Sequence, residues 1–269
     1  AAEAGTRDVL MVARDAERAQ RLADALSFFA PEANVVEFPA WDCLPYDRAS
    51  PSLAVTSRRM ATLAALQAKS TATQLLVTTA NAVTQRTLSP FRLRELGARL
   101  QPGTVIAREK LSALLTANGY ERNETVADAG EYAVRGSIVD LFPSGRELAL
   151  RLDFFGDEIE SVREFDPADQ RSVGRVDHFD LLPAAEALLD EASIKRFRSR
   201  YRERFGATAT GDPLYQAISE GRRLAGMDHW LPMLEERLVP LFEHLQPQDL
   251  ILADAGVPSA AESRFESIA

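Results

Sequence analysis

The stretch EYAVRGSIVDLFPSGRELALRLDFFGDEIESVREFD, residues 131–166, predicts a run of short antiparallel strands joined by tight turns. The sequence PSG at 143–145 is a turn signal between two apolar segments, and GD at 156–157 is a second. Between these turns, residues 148–155 alternate with a period of two, as a strand with one buried face does. We therefore expect a small β-rich domain centred on this stretch.

The alternation divides the side chains of the middle strand between two faces. The apolar face holds Leu150, Leu152 and Phe154, and the opposite face holds Arg151, Asp153 and Phe155. Arg135, Arg163 and Glu164 add long charged side chains on the neighbouring strands. An arginine-rich face with one exposed aromatic ring is typical of a binding surface. Surface ion pairs with a single exposed apolar side chain are the alternative, and they are common in proteins.

Composition limits the function classes that are open to the chain. The 269 residues are 46% hydrophobic, which is enough for one large domain or two with real cores. We see no signal peptide and no apolar run that would cross a membrane, and the single cysteine, Cys43, fits a reducing cytoplasmic setting. The net charge of −9 should repel nucleic acid. In a DNA process, such a chain is expected to bind a protein partner.

The first part of the chain predicts an α/β fold. Apolar runs at 8–13, 35–38 and 74–79 alternate with helical patterns, which indicates a parallel sheet with crossover helices. Ser50 is predicted as the N-cap of the second helix, with Pro51 in its first turn. The first helix is predicted to bury one face made of Ala19, Leu22, Ala23, Leu26 and Phe29.

The last part of the chain predicts a return to this α/β pattern. The apolar run 250–254 is expected to rejoin the first sheet, because it could not cover both of its faces alone. The arginine-rich segment 191–205 has aromatic residues at helical spacing, which favours a packed amphipathic helix over a nucleic-acid patch. We predict an α/β domain at 1–96, a small β-rich insert at 97–183, and a segment at 184–269 that completes the α/β domain.

Motifs for nucleotide chemistry and hydrolysis are absent from the sequence. It has no GxxxxGK[ST] loop, no GxGxxG after the first strand and no GxSxG elbow. The three histidines, His178, His229 and His244, have no metal-binding spacing. The acidic cluster at 157–160 is interpreted as a solvated face or as partners for nearby arginines. We predict no catalytic, cofactor or metal residue in this chain.

Four segments together resemble the N-terminal, UvrB-like module of the bacterial transcription-repair coupling factor family. They are FPAWDCLPYDRASPS (38–52), LLVTTANAVTQRTLSP (75–90), GEYAVRGSIVDLFPSG (130–145) and LRLDFFGDEIESVREFDPADQRS (150–172). The resemblance covers nearly the whole chain. It implies a helicase-like α/β domain of the UvrB domain 1 type, without working motor motifs, interrupted by a small UvrA-binding domain of the UvrB domain 2 type.

The resemblance also implies where the partner binds. The family's UvrA contact falls on two arginines and a phenylalanine, which match Arg135, Arg151 and Phe155 here. Asp157 stands where a neighbouring acid could assist. Two of these matches, Arg151 and Phe155, lie on the face that the alternation predicts to point outward.

A wider role follows for the full-length family member. It is an ATP- and magnesium-dependent translocase on double-stranded DNA that displaces stalled RNA polymerase and brings in excision repair. Its C-terminal domain is expected to cover the UvrA-binding surface at rest. Two alternatives stay open: a UvrB fragment that binds damaged DNA and UvrA, or a degenerate superfamily-two ATPase domain.

Overall fold

The computed structural model describes residues 7–45, 47–68, 73–206 and 211–268, which divide into two compact units. Unit 1 comprises the described residues of Ala1–Pro45, Thr62–Arg94 and Leu238–Ala269, and unit 2 those of Tyr46–Ala61 and Glu95–Arg237. The bounds of these units differ from the predicted domains, because the described residues of 46–61 and 184–237 cluster with the insert. The domain limits 1–96, 97–183 and 184–269 stay a prediction.

The strands of the described residues are numbered here in chain order. They are β1 (Val9–Ala13), β2 (Asn34–Phe38), β3 (Gln74–Thr79), β4 (Thr87–Leu88), β5 (Ala98–Leu100), β6 (Glu121–Arg122), β7 (Glu131–Arg135), β8 (Ile138–Leu141), β9 (Ala149–Phe155), β10 (Glu158–Phe165), β11 (Ser172–Arg175), β12 (Phe179–Leu181), β13 (Leu238–Val239) and β14 (Leu250–Ala253).

The helices are numbered in the same way. They are α1 (Ala16–Phe29), α2 (Leu53–Gln67), α3 (Ala80–Val83), α4 (Pro90–Leu96), α5 (Arg108–Ala117), α6 (Glu191–Phe205), α7 (Pro213–Ser219), α8 (Leu231–Leu234) and α9 (Val257–Glu266), with 3₁₀ turns at Met227–Trp230 and Leu241–His244. Within the described part of the chain, none of these helices combines the length and the apolar character needed to cross a membrane.

Unit 1 contains the predicted parallel sheet, with the strand order β14-β1-β3-β2. All six residues of β3 are buried, as expected for a central strand covered on both faces. The prediction that the run 250–254 rejoins this sheet is confirmed, because Val9 of β1 is in register with Leu250 of β14. The edge strand β14 comes from the end of the chain, so the sheet combines strands that precede the insert with one that follows it.

Two local predictions in this part of the chain are wrong. Phe29 is exposed at the end of α1, because it lies ten residues after Ala19 and points about 80° away from it around the helix. Ser50 does not cap α2, which begins at Leu53. The hydroxyl oxygen of Ser52 accepts a hydrogen bond from the backbone N–H of Val55 at 3.4 Å. Ser50 accepts one from the backbone N–H of Gly226 at 3.0 Å.

Unit 2 is built on a six-stranded sheet with the order β11-β10-β9-β8-β7-β6. The pairs are antiparallel except for β6 with β7. One face of the sheet packs with α5 to form the main core of the unit. This core includes Leu111, Leu115, Tyr120, Tyr132, Val139, Leu141, Leu150, Leu152, Phe154, Ile159 and Val162. The fold class is thus α/β with a β-rich insert, as predicted.

The helical part of unit 2 confirms the interpretation of residues 191–205. In α6, Phe197 and Tyr201 are buried, and their rings lie in tilted contact with centroids 5.0 Å apart. Arg200 donates to the backbone oxygens of Pro232 and Glu235 at 2.8 and 2.6 Å. Arg200 therefore satisfies backbone carbonyls of its own unit, and Arg196 does the same at the backbone oxygen of Leu234.

Candidate partner-binding surface

The face of the six-stranded sheet opposite its main core is called the outer face here. On β9, Leu150, Leu152 and Phe154 are buried while Phe155 is 80% exposed, so the predicted alternation is confirmed. The side chains that share the outer face include Arg135, Ile138, Asp140, Arg151, Asp153, Phe155, Glu158, Ser161, Arg163 and Arg175.

Strand register places the charges of this face in rows across the sheet. Asp140 of β8 lies opposite Arg151 of β9, which lies opposite Arg163 of β10, and Arg163 lies opposite Arg175 of β11. A second row runs from Arg135 of β7 through Ile138 and Asp153 to Ser161. Directly opposed side chains on one face lie about 5 Å apart at their Cβ atoms. The three predicted contact residues Arg135, Arg151 and Phe155 therefore share a single face, although none of them lies directly opposite another.

One buried carboxylate connects the two predicted arginines. Asp140 is only 1% exposed, and it accepts hydrogen bonds from Arg151 Nε at 2.8 Å and from Arg151 Nη2 at 3.0 Å. Its Oδ2 atom also accepts from Nη2 of Arg135. The sequence interpretation did not single out Asp140, although an acid within the apolar strand Ile138–Leu141 is a signal that could have identified it.

Arg151 is more covered than its position on the outer face predicts. Its side chain is 15% exposed, and its guanidinium carbon lies 4.6 Å from the ring centroid of Phe165. Its Nη1 atom donates to the backbone oxygen of Gln170 at 3.4 Å. The hydrogen bonds to Asp140 raise the pKa of Arg151 above its ordinary value. Arg151 is thus fixed in place, whereas the side chain of Arg135 is 45% exposed and can reach a partner.

A second ion pair on the outer face neutralises Asp153. Arg163 donates to this carboxylate through Nε at 3.1 Å and through Nη2 at 2.8 Å, and the hydroxyl of Ser161 donates to it at 2.5 Å. The outer face therefore pairs the acids Asp140 and Asp153 with its own arginines. Arg135 on β7 and Arg175 on β11 remain as exposed positive charges on this face.

The hairpin between β9 and β10 carries the two other predicted site residues at its tip. Phe155 ends β9, and Gly156 adopts a φ of 61° in the turn, a left-handed conformation that glycine accepts readily. Asp157 is exposed, and its backbone oxygen accepts from Ile106 N at 2.7 Å. The tip thus presents an aromatic ring beside a carboxylate, both in contact with solvent.

Comparisons with known proteins identify the relatives of this chain. Residues 98–186 match the UvrB interaction domain family. The whole chain is similar to curated transcription-repair-coupling factors: it is 36% identical to that of Escherichia coli over 99% of its own length, and 37% identical to that of Haemophilus influenzae over 90%. It is 34% identical to that of Myxococcus xanthus over 88%.

The matches define the chain at two levels. Residues 98–186, which contain all the strands of the outer face, form a UvrB interaction domain. Over nearly its whole length the chain is homologous to transcription-repair-coupling factors, which confirms its resemblance to their UvrB-like module. The chain spans about a fifth of the length of these relatives, with 23% and 21% covered in the first two.

Proposed function

We propose that the outer face of unit 2 binds UvrA, and that the chain is a non-catalytic module that recruits UvrA in transcription-coupled nucleotide excision repair. The observation that carries the proposal is the exposed ring of Phe155 on the same face as two guanidinium groups organised by Asp140. This arrangement lies within a UvrB interaction domain. Aromatic rings and arginines are the residues most enriched among energetic hot spots of interfaces.

The three residues Phe155, Arg135 and Arg151 have different roles in the proposed interface. Phe155 enters an apolar pocket on UvrA, and burying a phenylalanine side chain contributes about 2 kcal/mol. Arg135 makes charge-assisted hydrogen bonds to acidic groups there. Arg151, which is largely covered, holds Asp140 and with it the direction of Arg135. Asp157 lies at the rim, where a charge contributes little affinity but steers association.

Isothermal titration of UvrA with purified variants tests the proposal. Phe155→Ala and Arg135→Glu should each weaken binding by at least about thirtyfold, the effect of losing one hot spot. Phe91→Ala, which removes an exposed phenylalanine of unit 1, is the matched control and should bind as the unchanged chain does. Wild-type affinity in folded Phe155→Ala and Arg135→Glu would contradict the proposal.

The same surface leads to an expectation about UvrB. UvrA is proposed to hold this module and UvrB at one site, so the two should compete for it, which permits transfer of UvrA to UvrB at a lesion. The rival function, direct binding of damaged DNA, is disfavoured by the net charge of −9. A mobility-shift assay at low salt distinguishes the two, because a shifted DNA band without UvrA would support the rival.

A nucleotide site in unit 1 is disfavoured by the residues present. Ligands of open α/β sheets lie outside the carboxyl ends of the strands. The cleft of about 350 Å³ at that edge is lined by Arg14, Arg18, Arg21, Asp254, Ala255 and Gly256. No glycine-rich turn follows β1, and Arg14 and Arg18 are paired with Asp15 and Asp254 at 3.0 and 3.3 Å. These residues do not fit a magnesium-bound nucleoside triphosphate.

The activities of the complete family member extend this proposal beyond the chain. We propose that the full-length protein works in the cytoplasm as a translocase on double-stranded DNA, uses ATP and magnesium outside this segment, and displaces RNA polymerase. A C-terminal domain of that protein is proposed to cover the outer face until it is released. A longer protein that binds UvrA more weakly than this chain would support the covering.

A further inference from the structure

We propose that Val105 is a second apolar contact of the outer face, and that the partner's apolar pocket for Phe155 extends into a groove that also takes Val105. The inference rests on the proposed binding of UvrA and specifies the shape and charge of the surface that UvrA must present. It follows from a short segment, residues 103–106, that extends the sheet at the tip of the β9–β10 hairpin.

Backbone hydrogen bonds fix this segment against β10. Gly103 N donates to Ile159 O at 2.8 Å, Ile159 N donates to Thr104 O at 2.9 Å, and Ile106 N donates to Asp157 O at 2.7 Å. The pattern forms an isolated antiparallel bridge between Val105 and Glu158. The backbone of Val105 is therefore held in a sheet geometry although it lies outside the regular strands.

The register places Val105 and Phe155 on the same face. Glu158 is the partner of Phe155 across the hairpin and the partner of Val105 across the bridge. Directly opposed residues of antiparallel strands point to the same side of a sheet. Phe155, Glu158 and Val105 therefore form one row, and the two apolar residues are two strand spacings, about 10 Å, apart.

The side chain of Val105 does not contribute to the core of unit 2. Val105 is 75% exposed, close to the value for Phe155, whereas its neighbour Ile106 packs against the main core. Two large apolar side chains that flank one carboxylate at the end of a sheet make a patch that a partner can cover.

The charges around the row define the chemistry of the partner surface. Near the tip the exposed acids are Asp157, Glu158 and Glu160, while Arg163 and Arg175 lie further along the outer face. A complementary surface has an apolar groove, a basic or hydrogen-bond-donating group opposite Glu158, and acidic groups toward the arginines. This polarity admits one orientation of the partner.

The test is a titration of UvrA with the Val105→Ser variant. The control is Val173→Ser, which makes the same substitution at a valine that is 65% exposed on strand β11 of the same sheet. Both changes are exposed and should leave the melting temperature and the exchange protection of the Ile106 N–H unchanged. Val105→Ser should bind UvrA about tenfold more weakly, because a buried valine side chain is lost from the interface, while Val173→Ser should bind as the unchanged chain does.

Three outcomes decide between the claims. Weakened binding by Val105→Ser alone supports the groove. If both valine variants bind UvrA as the unchanged chain does and Phe155→Ala binds it more weakly, the groove is overturned and the proposed function stands. Absence of binding by the unchanged chain overturns the proposed function and the groove together.

Discussion

Replacing Asp140 by asparagine should loosen the outer face and lower the stability of unit 2. The change removes the negative charge from a carboxylate that is 1% exposed and bonded to two guanidinium groups. Arg135 is half exposed and can be solvated by water, so the main loss concerns Arg151, whose two hydrogen bonds to Asp140 measure 2.8 and 3.0 Å. Losing charge assistance in both bonds costs about 2–3 kcal/mol.

Thermal and urea unfolding measure this loss. Asp140→Asn should lower the melting temperature by about 5–10 °C, the shift expected for that free energy in a domain of this size. The matched control is Asp153→Asn, which breaks the more exposed pair with Arg163 and should cost less than about 1 kcal/mol. Adding Arg151→Met to Asp140→Asn should cost little more, since the pair is already broken. Equal melting of Asp140→Asn and Asp153→Asn would refute the central role of Asp140.

Three further changes test the packing of unit 2. Arg59→Met should destabilise the chain by about 3–5 kcal/mol, because it removes the charge partner of the buried carboxylate of Glu186. Adding Glu186→Leu should restore most of this loss. An unchanged urea midpoint in Arg59→Met would contradict the importance of the buried pair. Gly130→Ala should lower the free energy of unfolding by at least about 1 kcal/mol more than Gly136→Ala. Both glycines have a positive φ, but a Cβ at position 130 would lie 2.7 Å from the side chain of Leu53, whereas one at position 136 would meet open space. Equal losses of stability in the two variants would contradict the close approach at position 130. Burial raises the pKa of Tyr120 above its ordinary 10.0, so its stabilising contribution, intact below pH 10, is lost as the pH rises further. Between pH 9 and 11 the unchanged chain should lose more stability than Tyr120→Phe, and parallel curves would exclude this cause.

Sequence periodicity was sufficient to predict the face on which the proposed site lies. The alternation of β9 depends on a local rule, because consecutive side chains of a strand point to opposite sides whatever the rest of the fold does. The return of residues 250–254 to the first sheet was also predictable, since an apolar strand is expected to pair with a sheet. The sheet does not cover this strand as expected, because β14 lies at its edge and all four of its residues are exposed. These predictions required no knowledge of distant contacts.

Features that depend on tertiary packing were not predictable in this way. The coverage of Arg151 follows from its stacking on Phe165 and from a bond to Gln170, residues 14 and 19 positions away in sequence. The contact of Val105 with the hairpin tip depends on a pairing across about fifty residues, and nothing local in the sequence specifies it. Ser50 was wrongly placed as an N-cap because the residue that begins a helix depends on its tertiary contacts. The error at Phe29 was local, since its angle around α1 already turns it away from Ala19.

The measurement that tests the central claim most directly is photo-crosslinking from the hairpin tip to UvrA. A benzoylphenylalanine placed at position 155, where the natural ring is 80% exposed, should form a covalent adduct with UvrA on irradiation, and excess UvrB should suppress that adduct. The same group at position 91, on unit 1, is the control and should give none. Adducts of equal yield from both positions, or none from position 155 in a chain that binds UvrA, would contradict the account.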